Sequence, residues 1–196
     1  MGQDKALLPH PEGGTWLERS LLLLAELGAP VTLLSRHPRH LEMARALAAA
    51  PLPITAVPEP SPWEGPLLAL HRLMVLYPDR LLLLCPVDMP ALTAAVLRQL
   101  LEAASAEPAL PALIHLAHDG RRLQPLLGLY PSSAAIRSSL ASAVAAGERR
   151  LQSWLEIQPC RSVTLDPGAL RNLNRPEELD LRFRPLPDPA PAPAPA

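Results

Sequence analysis

The stretch Leu81-Leu82-Leu83-Leu84-Cys85-Pro86-Val87-Asp88-Met89-Pro90 decides the fold. Its first five residues are apolar without a break, a run that fits a strand covered on both faces, as in a parallel sheet flanked by helices. Asp88 then follows the strand's carboxyl end, where such sheets open onto their ligand crevice. On the amino-terminal side, Thr15-Trp16-Leu17-Glu18 has capping-box spacing and begins a helical stretch that stops at Gly28. A strand at Val31 to Leu34, a helix around Leu41 to Ala50 and a strand at Ile54 to Val57 come next, and Pro66 opens a helix running to about Tyr77. On the carboxyl side the pattern predicts a helix at Thr93 to Ala104 and strands near Leu113 to Leu116 and Pro125 to Tyr130. A helix at Ala134 to Ala146 and a strand at Ser162 to Leu165 complete it. This alternation predicts a three-layer, Rossmann-like α/β domain with a mostly parallel sheet.

With 196 residues, 48% of them hydrophobic, the chain can bury one substantial core. The globular domain is expected over residues 1–184, and the Pro/Ala-rich stretch 185–196, unable to form a core, is expected to be a disordered, extended tail. A formal net charge of -1 gives no broad basic field, which argues against nucleic acid as a partner. Leu21-Leu22-Leu23-Leu24 is too short to cross a bilayer, so no membrane partner is expected. Cys85 and Cys160 are far apart and outside any C-x-x-C pair, which fits a reducing, cytoplasmic setting.

Residue chemistry alone leaves two readings of each candidate. Asp88, held between Pro86 and Pro90, suits Mg²⁺, which takes few protein oxygens and the rest from phosphates and water; it equally suits an Asx turn. His118-Asp119-Gly120-Arg121-Arg122 and Gly147-Glu148-Arg149-Arg150 offer polar and cationic groups for an anionic ligand, or a hairpin-like turn and a helix end with dipole-matched arginines. Asn172 and Asn174 are ligands or turn formers before a helix starting at Pro176. His10, His37, His40, His71 and His115 lack metal-ligand spacing, and no Ser-His-Asp or Cys-His pattern stands out.

The order of the motifs is more specific. The chain reads M-G-x-D-K-A-L-L at Met1 to Leu8, V-P-E-x-x-P-x-x-G-P-L at Val57 to Leu67 and P-x-D-M-P at Pro86 to Pro90. H-D-G at His118 to Gly120, Q-P-L at Gln124 to Leu126, A-G-E-R-R at Ala146 to Arg150 and N-x-N-x-P-E-E at Asn172 to Glu178 follow. In this order the motifs resemble the molybdenum cofactor guanylyltransferase family, nucleotidyltransferases that join GMP to molybdopterin. The resemblance implies that Lys5 contacts the phosphates of GTP, Asp88 holds Mg²⁺ beside the nucleotide, and Glu59 takes the place associated with guanine recognition, where the family usually has Asp. A carboxylate there can accept from both guanine N1–H and the exocyclic amine. Asp119, Arg149, Asn172 and Asn174 would serve the pterin side.

The family also places Asn in a segment that here reads Leu33-Leu34-Ser35-Arg36. It runs an apolar strand into L-A-G-G-x-S-x-R before M-G-x-D-K, so the resemblance implies that this first, central strand and its phosphate loop are missing from this chain. The remaining sheet is then expected to carry a gap with two unpaired edges. The implied reaction uses GTP and molybdopterin and releases pyrophosphate, with molybdoenzymes or their chaperones as further partners. A cytidylyltransferase or other small-molecule nucleotidyltransferase, and a catalytically dead nucleotide-binding remnant, are the alternatives.

Overall fold

Thr15 starts the first helix as its spacing predicts. Its hydroxyl accepts from the Glu18 amide at 3.2 Å, and the Glu18 carboxylate accepts from the Thr15 amide at 2.7 Å. A computed structural model of the protein describes residues 4–106 and 113–173. The expected tail at 185–196, the domain end at 184 and Asn174 lie outside the described residues. A 3-10 turn at Lys5–Leu7 precedes α1 (Trp16–Ala25), β1 (Val31–Ser35), α2 (Pro38–Ala48), β2 (Ile54–Pro58), α3 (Pro66–Leu76) and β3 (Leu81–Leu84). Next come α4 (Ala94–Ser105), β4 (Ile114–His118), β5 (Leu123–Pro131), α5 (Ala134–Ala145), α6 (Leu151–Leu155) and β6 (Cys160–Thr164).

The strands pair as β1-β2 and as β3-β5-β4-β6. β1 runs parallel to β2 and β4 parallel to β6, while β5 lies antiparallel to both β3 and β4. Thus β3, β4 and β6 share one direction, with β5 reversed among them. The Lys5 turn reaches both carboxyl ends, with Asp4 against His40 just beyond β1 and Lys5 against Asp88 just beyond β3, so β1 and β2 follow the same majority direction. The sheet is mostly parallel.

Among the described residues β1 is hydrogen-bonded to β2 alone and β3 to β5 alone, so each leaves one edge unpaired. Leu24 of α1 joins the two sheets by packing into two cores, one around Val31 and Ile54 and one around Leu97, Leu127 and Leu129. On β3, Leu82 and Leu84 reach the core built by α3, α5 and α6, and Leu83 reaches the opposite core beneath α4. Both faces are covered as expected, yet Leu82, Leu83 and Leu84 stay only half-buried and Leu81 is 53% exposed. An unpaired edge leaves the side of the strand open even where its faces are packed.

Because α1 packs into both cores through Leu24, its capping box holds more than one helix turn in place. Thr15→Ala is expected to cost about 1 kcal/mol, read as a lower urea midpoint with an unchanged slope.

Candidate active site

Lys5 and Asp88 meet although they come from distant parts of the chain. The Asp4 side chain accepts from the Ala6 amide at 3.1 Å and so starts the turn that carries Lys5. Asp88 follows β3, and its carbonyl accepts from the Leu173 amide at 3.0 Å. Lys5 Nζ then lies 3.9 Å from Asp88 Oδ2, with both side chains partly open to solvent. The buried Met89 and Leu173 anchor the two sides of this loop. Beside it, burial and then the Asp88 charge push the Cys85 thiol up to about 12, so it stays protonated and unreactive.

Glu59 lies at the carboxyl end of β2, and its amide donates to Ser35 O at 2.9 Å. Its Oε1 accepts from Arg72 of α3 at 2.8 Å, while Arg72 also donates to Pro62 O at 2.9 Å. The carboxylate therefore braces the loop into α3, leaving Oε2 as its remaining acceptor. Trp63 hangs from the same loop, 52% exposed, donating from Nε1 to Glu59 O at 3.0 Å, with the Arg36 guanidinium 5.4 Å from its ring centre. Glu64 pairs with Arg149. A Cβ at Gly65 would meet Arg149 O at 3.5 Å, and Gly65 sits at φ +94, a conformation suited to glycine. The P-x-x-G-P-L and A-G-E-R-R motifs are thereby packed together.

A-G-E-R-R also ends α5. The Glu148 amide donates to Ala143 O at 3.0 Å and the Gly147 amide to Val144 O at 3.1 Å, the paired bonds of a Schellman motif with Gly147 at φ 87. Glu148 Oε1 accepts from the Arg149 and Arg150 amides, both at 2.7 Å, which hold its carboxyl below the usual range. Arg149 donates to Val144 O and Glu148 O as well as pairing with Glu64. The helix end and the cationic group are thus one device.

Asp119 follows β4 at the same end of the sheet. Its Oδ1 accepts from the Arg121 and Arg122 amides, both at 2.9 Å, and its Oδ2 accepts from Gln124 at 2.8 Å. The Arg122 and Arg121 amides are the main causes that lower its carboxyl to about 2, so it carries its charge throughout the neutral range. The structure therefore spends this carboxylate on shaping the turn between β4 and β5. The Leu173–Asp88 backbone bond ties the segment carrying Asn172 to the Asp88 loop, and the Asn172 Oδ1 is buried without a hydrogen-bond partner among the described residues. Lys5 and Asp88 are in contact, while Glu59 and Asp119 each directly follow the carboxyl end of a strand, β2 and β4.

Residues 1–164 match the model of the MobA-like NTP transferase domain. The chain belongs to that family. It is 33% identical over 185 residues to a probable molybdenum cofactor guanylyltransferase of Rhodopirellula baltica, covering 91% of this chain and 83% of that protein. It is 32% identical over 196 residues to a probable molybdenum cofactor guanylyltransferase of Mycobacterium bovis, covering 94% of this chain and 88% of that protein. Among solved structures, molybdopterin-guanine dinucleotide biosynthesis protein A from Archaeoglobus fulgidus shares the fold at a TM-score of 0.64 and 14% identity, covering 92% of this chain and 89% of that one.

Membership in the MobA-like family makes this a nucleotidyltransferase. Among the described residues no group of three or more His, Cys, Asp or Glu side chains could hold a metal. One partly open aspartate is nonetheless a suitable donor set for Mg²⁺ in this family, because that ion fills most of its octahedron with water and substrate phosphates. Asp88 is the residue that could hold it, with Lys5 Nζ 3.9 Å away. No helix among the described residues is long and apolar enough to cross a membrane.

Proposed function

We propose that this chain transfers GMP from GTP to molybdopterin, forming the guanine dinucleotide cofactor and releasing pyrophosphate. The observation that carries this reading is the 3.9 Å approach of Lys5 to Asp88 at the carboxyl ends of the strands. It pairs a cation for the triphosphate with a carboxylate for Mg²⁺, in a chain whose relatives are named for guanylyl transfer. The pterin phosphate attacks the α-phosphorus of GTP, the bond to the bridging oxygen breaks, and pyrophosphate departs with its electron pair. A phosphate monoester is largely ionised near neutral pH, so the attack needs no protein nucleophile or strong base. Mg²⁺, when bound, neutralises phosphate charge as it builds in the transition state. Lys5 draws the triphosphate into place and stabilises the leaving pyrophosphate.

Glu59 reads guanine through Oε2 while Arg72 holds Oε1. Arg149 and Asn172 bind the pterin phosphate and ring, joined by Asn174 and by Asp119 from the turn between β4 and β5. The reaction belongs in the cytoplasm, where molybdoenzymes or their chaperones would receive the product. Incubating the full chain with molybdopterin, Mg²⁺ and each nucleoside triphosphate tests this reading. GTP is expected to give dinucleotide and pyrophosphate at least about tenfold faster than CTP or ATP, and Glu59→Gln is expected to narrow the preference over ATP, since a site built to accept guanine's donors rejects a base lacking them. Preferential turnover of CTP would replace guanylyl with cytidylyl transfer.

A further inference from the structure

We propose that His40 is a positioning residue for Lys5, acting through Asp4. His40 Nε2 lies 2.7 Å from Asp4 Oδ2, and its Nδ1 lies 3.1 Å from Ser35 Oγ. Both His40 and Ser35 are 7% exposed, so the ring is fixed from inside the fold. An ionised Asp4 can only accept, which places a proton on Nε2 and, in the neutral ring, leaves Nδ1 to accept from the Ser35 hydroxyl. The Ser35 oxygen in turn accepts from the His37 amide at 3.2 Å, so every group in the chain has a consistent direction.

Asp4 uses its two oxygens for two tasks. Oδ2 takes His40, while Oδ1 takes the Ala6 amide at 3.1 Å and closes the turn containing Lys5. The Asp4 and Lys5 carbonyls then accept from the Leu7 and Leu8 amides, both at 3.1 Å. A short 3-10 turn has poor intrinsic stability. Its orientation toward Asp88 is therefore set by an outside anchor, and the buried His40 ring supplies one from the far side of Asp4.

The order Ser35, His40, Asp4 matches that of a hydrolase triad, but the chemistry differs. Ser35 is buried and its oxygen is occupied by the His37 amide, so it cannot present a nucleophile to a substrate. The chain runs from the core to the site and ends on Lys5. Its catalytic consequence rests on the nucleotide reading given above, whereas its effect on the turn does not.

The test uses the full chain with His40→Ala, His40→Gln and Lys5→Ala. Gln can return a donor to the place of Nε2, so it should preserve the Asp4 contact. Amide hydrogen exchange at Ala6, Leu7 and Leu8 is expected to quicken about tenfold in His40→Ala, the loss of one charge-assisted hydrogen bond. His40→Gln should stay near the parent, with exchange inside α2 unchanged in both. Mg-GTP affinity should fall in His40→Ala and Lys5→Ala alike, and recover in His40→Gln.

Unchanged exchange at Ala6 to Leu8 in folded His40→Ala overturns the proposal, as does a general quickening that includes α2. If exchange responds as expected but Lys5→Ala leaves Mg-GTP affinity intact, positioning stands and the nucleotide role of Lys5 fails. Should His40→Ala not fold, Ser35→Ala removes the hydroxyl that orients the ring, and the same comparison of Ala6 to Leu8 against α2 decides.

Discussion

Asp88→Asn is expected to slow nucleotidyl transfer by at least about a hundredfold, the scale on which removing one preorganised electrostatic group acts. The amide matches the carboxylate in shape but lacks the charge that would hold Mg²⁺ in the proposed reaction. Stability should scarcely change. The Lys5–Asp88 pair is partly solvated on both sides, and pairs of that kind contribute about 0–1 kcal/mol. The backbone bond from Leu173 to Asp88 O does not depend on the side chain. Steady-state rates and a thermal melt on the same sample check both halves, and near-parent turnover would place the metal on other groups.

Trp154→Ala should have the largest effect on stability, about 3–5 kcal/mol, from a total expected near 5–15 kcal/mol. Trp154 is 1% exposed and packs in the core with Leu67, Leu70, Tyr130 and Leu140. Its Nε1 donates to Ser139 Oγ at 3.1 Å, and that oxygen also receives Gln158 at 3.0 Å. Truncation therefore opens a cavity between α5, α6 and the sheet, while Ser139 keeps one partner. Arg149 and Arg150 immediately precede α6, so the loss should also loosen the Arg149 contact with Glu64. Urea unfolding checks the stability term, and a change below about 1 kcal/mol would mean that the core closes over the gap.

Local signals in the sequence located most elements. The Thr15–Glu18 capping box, Pro66 at the start of α3 and the apolar run at β3 each carry a short-range physical cause, and each sits where expected within a residue or two. The helix expected from Leu41 begins earlier, at Pro38, because proline suits the first helical turn. The five-residue α6 went unread, since so short an apolar stretch after two arginines lacks helical periodicity. The placement of reversed β5 between β3 and β4 depends on long-range pairing that no local window contains.

The site divides in the same way. Lys5 and Asp88 stand out in the sequence through their motifs, and the fold brings their side chains within 3.9 Å of each other. The hold of Arg72 on Glu59 was not legible there, because the partner lies on the next helix. Nor was the Ser35–His40–Asp4 chain, whose members share no motif and meet only once β1 and α2 are packed. The contacts of Asp119 with Arg121, Arg122 and Gln124 are local, and the H-D-G turn signal in the sequence already pointed to them.

The central claim is that Lys5 and Asp88 together form the metal–nucleotide site, and Mn²⁺ in place of Mg²⁺ tests it most directly. Amide resonances of the full chain are followed while Mn²⁺ and GTP are added together. The account predicts paramagnetic broadening centred on Lys5, Ala6, Asp88, Met89 and Leu173, lost in Asp88→Asn. Broadening centred elsewhere, or unchanged by that substitution, would contradict it.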